Sequence, residues 1–262
     1  RRPPVTDAAR RPAFITGGSS GIGLALARQL AARGHPVALF ARNADRLAKA
    51  ASSVPGARAY PCDVSDRSAV EAAVTQAVSD LGVPEWAIAN AGIAEPGTFL
   101  TQDIASHEAQ MQTNYMGALY FAKACAGAMD SGRLVFVSSG AAFFGIYGYS
   151  AYAPSKFALR GLAEVLRVEL APRISVTLAY PPDTDTPQLA AEARTKPEVT
   201  KKITAGGGLW APEAVAAAIL KRADKGRFAV APGLQMAALL WLHSLAAPAL
   251  RAWQAGIARK HR

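Results

Sequence analysis

The chain has 262 residues, 51% of them hydrophobic, and a formal net charge of +10. This size and composition are typical of one large α/β domain or two small ones with a sizeable core. The positive charge favours phosphate-rich partners, but no basic run is interleaved with aromatic residues, so we expect no nucleic-acid partner. The four histidines have no metal-ligand spacing, so we expect no metal site, and the two cysteines are expected to be reduced and buried.

The predicted elements alternate along the chain. Residues 1–11 lack the apolar core of a signal peptide, so we expect a flexible basic arm. Between residues 12 and 233, short apolar runs alternate with helical patterns, and the runs are AFIT, PVALFA, ARAYPCDV, EWAIANAG, RLVFVSS and ISVTLAY. This order predicts a parallel sheet with helices on both faces, a doubly wound Rossmann-type α/β fold. No repeat or linker interrupts the pattern, so we expect a single domain.

The first predicted strand is followed by the glycine loop TGGSSGIG (16–23). Gly17, Gly21 and Gly23 suit a tight turn, a close approach of backbone to phosphate and close helix packing, with a pyrophosphate at the helix N-terminus. The same loop fits G-x-S-x-G, the nucleophile turn of serine hydrolases, with Ser19 as the nucleophile. A purely structural tight turn is the third interpretation.

The rest of the sequence favours the dinucleotide site. A hydrolase needs an acid and a histidine within reach of Ser19, and the downstream histidines lie in unsuitable positions. A dinucleotide site instead predicts a ribose-binding residue about 20 residues after the glycines. Arg42 occupies that position, and Arg46 follows one helical turn later. Because arginine pairs with a 2′-phosphate through charge-assisted hydrogen bonds, we expect NADPH/NADP+ as the cofactor.

Three tyrosines precede one lysine in GIYGYSAYAPSK (145–156). Tyr152 and Lys156 share a helix face if Ser150 is the N-cap and the helix begins at the next residue; Tyr147 and Tyr149 are then expected to point elsewhere. An ammonium group about 5 Å from the phenol is worth roughly 3 kcal/mol and lowers its pKa by about two units. The phenol then becomes a usable acid–base group, whereas a surface pair without chemistry is the alternative.

Together these motifs carry a family resemblance. The glycine loop, NAG (90–92), Ser139 and the Tyr152-x-x-x-Lys156 pair resemble the short-chain dehydrogenase/reductase family over about residues 12–230. The resemblance implies a Rossmann-type domain with seven parallel strands. It also implies an oxidoreductase, and the intact serine, tyrosine and lysine argue against a non-catalytic NADP-binding regulator.

The resemblance assigns roles to individual residues. Tyr152 is expected to give a proton to the reduced carbonyl, which Ser139 holds. Lys156 is expected to bind the nicotinamide ribose, and Asn114 to support the lysine through a water. The expected cofactor contacts, including the two arginines, are Gly17, Ser19, Ser20, Gly21, Ile22, Gly23, Arg42, Arg46, Asp63, Val64, Asn90, Ala91, Gly92, Tyr152, Lys156, Pro181, Thr184 and Thr186.

The loop after the sixth strand indicates the substrate class. It reads AYPPDTDTP (179–187) where many family members have Pro-Gly, and the second proline stiffens the loop. PPDTDTP, with ARN (41–43) and SKFALRGLAE (155–164), is similar to family members that reduce long-chain 3-ketosphinganine to sphinganine with NADPH. A lipid ketone is therefore the expected substrate, with another lipid, steroid or acyl ketone as the alternative.

That substrate carries an ammonium group beside its carbonyl, and two acidic residues of this loop are candidates to bind it. Asp183 or Asp185 is the expected partner, and capping of a turn is the alternative role for both. The segment from about residue 188 to 210 is charged and then glycine-rich, and it is expected to act as a mobile lid.

The C-terminal extension, residues 234–262, begins with a 17-residue stretch, LQMAALLWLHSLAAPAL, that has no formal charge. As a helix this stretch spans about 25 Å, short of a hydrocarbon core of roughly 30 Å. Cations on both sides favour an apolar helix lying on an anionic membrane surface. Packing on its own domain, or on a second subunit of a homo-oligomer, is the alternative. We expect a peripheral position on the cytoplasmic side of a membrane.

Overall fold

The computed structural model describes residues 10–205 and 208–260. Most of the basic arm expected at residues 1–11 therefore lies outside the described residues, as does part of the glycine run at 206–208. At the end of the expected arm, the Arg11 guanidinium donates to the backbone oxygens of Pro84 and Ser131 at 2.5 and 2.6 Å.

Seven strands form one sheet in the described part of the chain. They are β1 (Ala13–Thr16), β2 (Val37–Ala41), β3 (Ala57–Pro61), β4 (Trp86–Ala89), β5 (Gly132–Val137), β6 (Ile174–Ala179) and β7 (Ala229–Val230). Their order in the sheet is β3-β2-β1-β4-β5-β6-β7, and every neighbouring pair is parallel. The doubly wound, seven-stranded prediction is confirmed. The sequence order reverses between β1 and β4, which is where such sheets bind ligands.

Helices cover both faces of this sheet. They are α1 (Gly21–Ala32), α2 (Ala44–Ser52), α3 (Arg67–Leu81), α4 (Ile104–Met111), α5 (Gly117–Ala128), α6 (Tyr152–Glu169), α7 (Pro187–Thr195), α8 (Glu198–Thr204), α9 (Pro212–Ala223) and α10 (Leu234–Lys260). A π-helical turn, Gln112–Met116, joins α4 to α5, and a 3-10 turn, Gly140–Ala142, follows β5. Several helices begin at side-chain caps: Asn43, Asp66 and Thr186 each accept a hydrogen bond from a first-turn N–H.

The core consists of two layers separated by the sheet. On β1, Phe14 faces the layer that contains Phe121 of α5, whereas Ile15 faces the layer that contains Leu26 of α1 and Ile219 of α9. This alternation explains the continuous apolar runs, because a strand covered on both faces has no solvent-exposed side. The layers hold the carboxyl ends of the strands at one edge.

The C-terminal helix α10 packs on this same domain. Met236 belongs to the core layer of α5, and Gln254 Nε2 donates to the backbone oxygen of Gly145 at 3.0 Å. Other side chains of the helix are exposed, including Leu234, Trp241 and Leu245. Within residues 10–205 and 208–260, no helix combines the length and the apolar character that crossing a membrane requires.

Candidate active site

A cleft of about 890 Å³ lies at the carboxyl edge of the sheet. It brings together most of the residues predicted from the sequence, which are Gly17, Ser19, Ser20, Gly21, Ile22, Arg42, Arg46, Asp63, Val64, Asn90, Ala91, Gly92, Ser139, Tyr152, Lys156, Pro181, Asp183, Thr184 and Thr186. Gly23, Asn114 and Asp185 are not part of its lining. None of the described histidines lines the cleft either, which removes the histidine that a hydrolase using Ser19 requires.

The glycine loop forms the floor at one end of the cleft. Gly17 and Gly21 have φ angles of +65° and +52°, which only glycine adopts without strain. A Cβ at Gly23 would lie 2.3 Å from the Gly17 oxygen. The Ser20 side chain does not cap α1, so the first-turn N–H groups of that helix remain available to a ligand. This backbone arrangement fits a pyrophosphate at a helix N-terminus.

Thr16, which sequence reasoning missed, ties the glycine loop to the loop after β4. Its hydroxyl oxygen accepts hydrogen bonds from the backbone N–H groups of Asn90 and Ala91, each at 3.0 Å. Asn90 Nδ2 donates in return to the Thr16 backbone oxygen at 3.0 Å. The signal in the sequence was a hydroxyl residue at the end of an otherwise apolar strand. Thr16 therefore fixes the NAG loop against the cradle for the phosphates.

A positively charged rim lies at the end of β2. The Arg42 side chain is 64% exposed, and its Nη1 lies 3.8 Å from Asp63 Oδ2. Asn43 caps α2 by accepting from the Arg46 backbone N–H at 2.8 Å, and it also lines the cleft. The other oxygen of Asp63 accepts from the Ser65 hydroxyl at 2.7 Å, so Asp63 is held beside the exposed Arg42 side chain.

Tyr152 and Lys156 occupy successive turns of α6, on the face towards the cleft. The Lys156 Nζ lies 5.5 Å from the centroid of the Tyr152 ring and donates to the backbone oxygen of Val137 at 3.3 Å. Two details differ from the prediction. The helix begins at Tyr152 with Ala151 at the N-cap position, and Ser150 instead contacts His107 Nε2 at 3.1 Å.

The pKa of Tyr152 also differs from the prediction. Burial raises it well above the usual value, and the negative charge of Glu192 raises it further, whereas a hydrogen bond with the Ser139 side chain lowers it. Burial lowers the pKa of Lys156 from 10.5 to about 8. The expected decrease for the phenol is therefore wrong for this arrangement, because desolvation of the phenolate has the largest effect on its pKa.

Asn114 lies in the π-helical turn, behind the cleft. Its Oδ1 accepts from the Ile93 backbone N–H at 2.8 Å, and its Nδ2 donates to the Ile93 oxygen and to Ser155 Oγ, both at 2.9 Å. A Cβ at Gly92 would lie 3.1 Å from Asn114 Oδ1 and 3.4 Å from Lys156 Nζ. Asn114 thus fixes the loop after β4 beside Lys156, and the structure records no direct hydrogen bond between the two side chains.

Some polar residues of the loop after β6 line the cleft, whereas others hold the loop in place. Asp183 is half-buried and lines the cleft, whereas Asp185 is exposed and lies outside it. The Asp185 backbone N–H donates to the Trp210 oxygen at 2.9 Å. Thr184 Oγ1 donates to the Pro182 oxygen at 2.8 Å, and Thr186 caps α7 by accepting from the Leu189 backbone N–H at 3.2 Å. Of the two aspartates, only Asp183 is placed to contact a substrate.

Sequence reasoning also missed a buried polar cluster beside Tyr152. Tyr149, which was expected to point elsewhere, lines the cleft, and its ring centroid lies 5.4 Å from that of Tyr152. Its hydroxyl donates to Glu192 of α7. Lys196 Nζ lies 2.7 Å from Glu192 Oε1, and the two side chains are only 7% and 9% exposed. The segment expected to act as a mobile lid contains the helices α7 and α8.

Part of the cleft lining is apolar and includes side chains of α10. Met236 and Leu239 of this helix line it together with Phe144, Ile146 and Ile203. A Cβ at Gly140 would lie 2.8 Å from Met236 Cε, so the helix packs directly on the turn after β5. The C-terminal extension is therefore part of the wall of the cleft.

Known proteins are similar to this chain in both sequence and fold. A family model described as short chain dehydrogenase matches residues 11–197. A 3-ketodihydrosphingosine reductase from Bos taurus is 42% identical over 227 residues, which cover 82% of this chain and 68% of that relative.

Two solved structures extend the similarity to the fold. A short-chain dehydrogenase from Streptomyces avermitilis superposes with a TM-score of 0.82 at 26% identity, covering 98% of this chain and 100% of that chain. An alcohol dehydrogenase from the archaeon Thermococcus sibiricus, complexed with 5-hydroxy-NADP, superposes with a TM-score of 0.72 at 26% identity, covering 84% and 94%. The region that the family model matches contains both the glycine loop and the Tyr152–Lys156 turn.

Proposed function

Because this chain belongs to the short-chain dehydrogenase family, we propose that it reduces the lipid ketone 3-ketosphinganine to sphinganine with NADPH, a reaction of sphingolipid metabolism. The similarity to a relative named 3-ketodihydrosphingosine reductase supports this substrate. The observation that carries the proposal is the position of the Tyr152 phenol. It lies beside Ser139 and one helical turn from Lys156, in the same cleft as the glycine loop.

Different residues of the cleft have different roles in the reaction. NADPH, when bound, supplies the hydride. The hydroxyl groups of Ser139 and Tyr152 hold the carbonyl oxygen, and Tyr152 gives its proton to the developing alkoxide. A phenol is protonated at neutral pH, which suits a group that must donate in the direction of reduction. The Lys156 ammonium group stabilises the phenolate that remains.

The same cleft offers groups that suit each part of the cofactor. The glycine loop and the uncapped start of α1 suit the pyrophosphate. Arg42 and Arg46 lie at the rim where a 2′-phosphate would be recognised, and their guanidinium groups suit that dianion. We therefore assign the preference for NADPH over NADH to these two arginines.

The apolar part of the cleft lining suits an alkyl chain. Met236, Leu239, Phe144, Ile146 and Ile203 present hydrocarbon surface there, and each buried methylene of a substrate contributes about 0.8 kcal/mol. A long-chain ketone therefore gains binding energy that a small ketone lacks.

The test is NADPH oxidation with a panel of ketones. Purified protein is assayed with 3-ketosphinganine, a steroid ketone, an acyl ketone and a short-chain ketone. We expect the highest kcat/KM with 3-ketosphinganine and formation of sphinganine by mass spectrometry. A higher kcat/KM for the steroid or the short ketone would assign the site to that substrate class instead. Labelling of Ser19 by a fluorophosphonate would favour a hydrolase.

For α10 we propose a peripheral position on an anionic membrane at the cytoplasmic side. Leu234, Trp241 and Leu245 are 93%, 81% and 82% exposed, and their spacing places them on one face of the helix. Arg259 and Lys260 follow near its end, and cations beside an apolar face suit anionic headgroups. A lipid substrate dissolved in the bilayer would then lie close to α10, which also contributes to the cleft lining.

Vesicle sedimentation tests this position. We expect the protein to sediment with anionic vesicles and less with neutral ones, and Trp241→Glu to reduce sedimentation. The matched control is Val168→Glu on α6, where an apolar side chain is 74% exposed. Equal sedimentation of both variants and the wild type would contradict the proposal. A change in oligomeric state caused by Trp241→Glu without vesicles would assign the face to a second subunit.

A further inference from the structure

The chemistry proposed above gives no role to the cluster of Tyr149, Glu192 and Lys196. This cluster lies beside the proton donor, because the Tyr149 and Tyr152 ring centroids are 5.4 Å apart. Tyr149 and Glu192 line the cleft, whereas Lys196 is not part of the lining. Glu192 thus combines a position in the cleft lining with a buried lysine partner at 2.7 Å.

The two contacts that the structure gives this carboxylate use the same oxygen. Oε1 of Glu192 accepts the hydroxyl hydrogen of Tyr149 and lies 2.7 Å from Lys196 Nζ. Among residues 10–205 and 208–260, no protein group hydrogen-bonds its second oxygen, Oε2. An ionised carboxylate accepts through both oxygens, so Glu192 has capacity for one more donor from the cleft.

Negative charges also outnumber positive charges around Glu192. Asp183 lines the cleft beside Glu192; burial raises its pKa, Lys196 lowers it and Glu192 raises it. Lys196 pairs directly with Glu192, and it also acts at longer range on the Asp183 carboxylate. The other lysine of the cleft, Lys156, lies beside Tyr152 and contacts the Val137 oxygen. A second cation beside Glu192 would balance the negative charge of the two carboxylates, because buried charges are stable only when they are paired.

We infer that Glu192 binds the ammonium group that the substrate carries beside its carbonyl, and that Tyr149 positions the Glu192 carboxylate. The inference rests on the proposed function, since it places the carbonyl of an amino ketone at Tyr152. The neighbouring Tyr149 ring offers a cation–π surface, as it does for Lys196 Nζ at 5.8 Å from its centroid. Asp183 then adds long-range attraction, and Glu192 determines the specificity for amino ketones.

Binding of the product tests the inference without relying on turnover. Thermal stabilisation is measured with NADP+ and either sphinganine or the matched diol that lacks the amine. We expect sphinganine to stabilise the wild type more than the diol does, and Glu192→Gln to remove this difference. The matched control is Glu71→Gln on α3, which removes an exposed i,i+4 ion pair with Arg67 and should preserve the difference.

The kinetic test compares 3-ketosphinganine with the matched hydroxyketone that lacks the amine. A hydrogen bond to a charged group contributes enough for a loss of about ten- to hundredfold, so Glu192→Gln should lower kcat/KM for the amino ketone by that factor. For the ketone without the amine we expect a change of less than about threefold. Tyr149→Phe should raise KM for the amino ketone with little change in kcat, because it only loosens the carboxylate.

A second variant separates recognition from folding. Glu192→Gln removes the carboxylate that pairs with Lys196 at 2.7 Å and destabilises the protein, so a loss of activity alone would not distinguish the two roles. Lys196→Met leaves the carboxylate free, and we expect it to retain or increase the preference for the amino ketone. A purely structural ion pair would make Lys196→Met and Glu192→Gln equally harmful to both substrates.

The outcomes separate this inference from the proposed function. Equal losses on both ketones in Glu192→Gln, or a sphinganine-specific stabilisation that survives this substitution, would overturn the role of Glu192 while the reductase activity stands. If the wild type reduces neither ketone, the proposed function is wrong. The binding comparison then still decides whether Glu192 recognises an amine.

Discussion

Replacement of Lys156 by methionine should make the cofactor-free protein more stable while it abolishes the reaction. Lys156 is 4% exposed, and its Nζ is held by a hydrogen bond to the Val137 backbone oxygen at 3.3 Å. A charged group in this position opposes folding, and the role proposed for it is contact with the cofactor and the phenol. Methionine has a similar volume and carries no charge.

The magnitude follows from the pKa of this lysine. Burial lowers it from 10.5 to about 8, and at about 1.4 kcal/mol per unit this opposes folding by about 3 kcal/mol at pH 7. Loss of the hydrogen bond to Val137 costs about 1 kcal/mol. The net gain for Lys156→Met is about 2 kcal/mol, which raises Tm by roughly 5 °C in a protein of this size.

The pH dependence of this difference has a definite sign. Between pH 8 and 10.5 the unfolded lysine keeps its proton whereas the folded one loses it, so the unfolded chain binds more protons. The stability of the wild type therefore rises with pH over this window relative to the variant. The advantage of Lys156→Met is complete at pH 7 and disappears as the pH approaches 10.5.

The assay is thermal unfolding followed by circular dichroism at pH 7 and at pH 9.5, without cofactor. Lys123→Met on α5 is the matched control, because Lys123 is exposed and should change Tm little at either pH. NADPH oxidation confirms that only Lys156→Met is inactive. A lower Tm for Lys156→Met at pH 7, or an advantage that does not shrink at pH 9.5, would refute the reasoning.

Two further predictions concern the cofactor. Arg42→Ala should raise KM for NADPH about ten- to hundredfold, because a charge-assisted hydrogen bond is lost. KM for NADH should stay unchanged, since NADH has no 2′-phosphate. Steady-state kinetics with both cofactors measures the two values, and an equal increase for both would contradict the prediction. Gly23→Ala should weaken NADPH binding, because its Cβ would lie 2.3 Å from the Gly17 oxygen and overpacking costs about 1–3 kcal/mol. Fluorescence titration measures this against Gly161→Ala, where no atom lies within 4 Å of the new Cβ; equal affinities would argue against the close packing.

The parts of the site that could be predicted are the ones encoded in neighbouring residues. The glycine loop occupies consecutive positions between β1 and α1, so its turn and its helix N-terminus follow from the sequence itself. Tyr152 and Lys156 share a face because the helical period places residues four apart together. Arg42 could be located because strand length and loop length fix the end of β2.

The parts that could not be predicted depend on contacts between distant residues. Tyr149 and Glu192 are 43 residues apart, and Thr16 and Asn90 are 74 apart, so no local pattern connects either pair. The direction of the Tyr152 pKa depends on burial, which a Tyr–Lys spacing does not report. The two-residue strand β7 is too short to produce a pattern.

The packing of the C-terminal helix could be predicted from the sequence only in part. The sequence showed that this helix is apolar, but it did not determine which surface the helix packs against. The structure places Met236 and Leu239 against the cleft and leaves Trp241 exposed, so packing on its own domain and docking elsewhere use different faces of one helix. Both alternatives raised from the sequence can therefore hold together.

The most direct test of the central claim is the single-turnover rate of 3-ketosphinganine reduction by NADPH-loaded protein, with Tyr152→Phe beside the wild type. The phenylalanine ring fills the same space but has no proton to donate. General acid catalysis contributes about 10²–10⁴-fold, so we predict a loss of that size in Tyr152→Phe with NADPH affinity unchanged. A variant that reduces the ketone at the wild-type rate would contradict the assignment of Tyr152 as the proton donor.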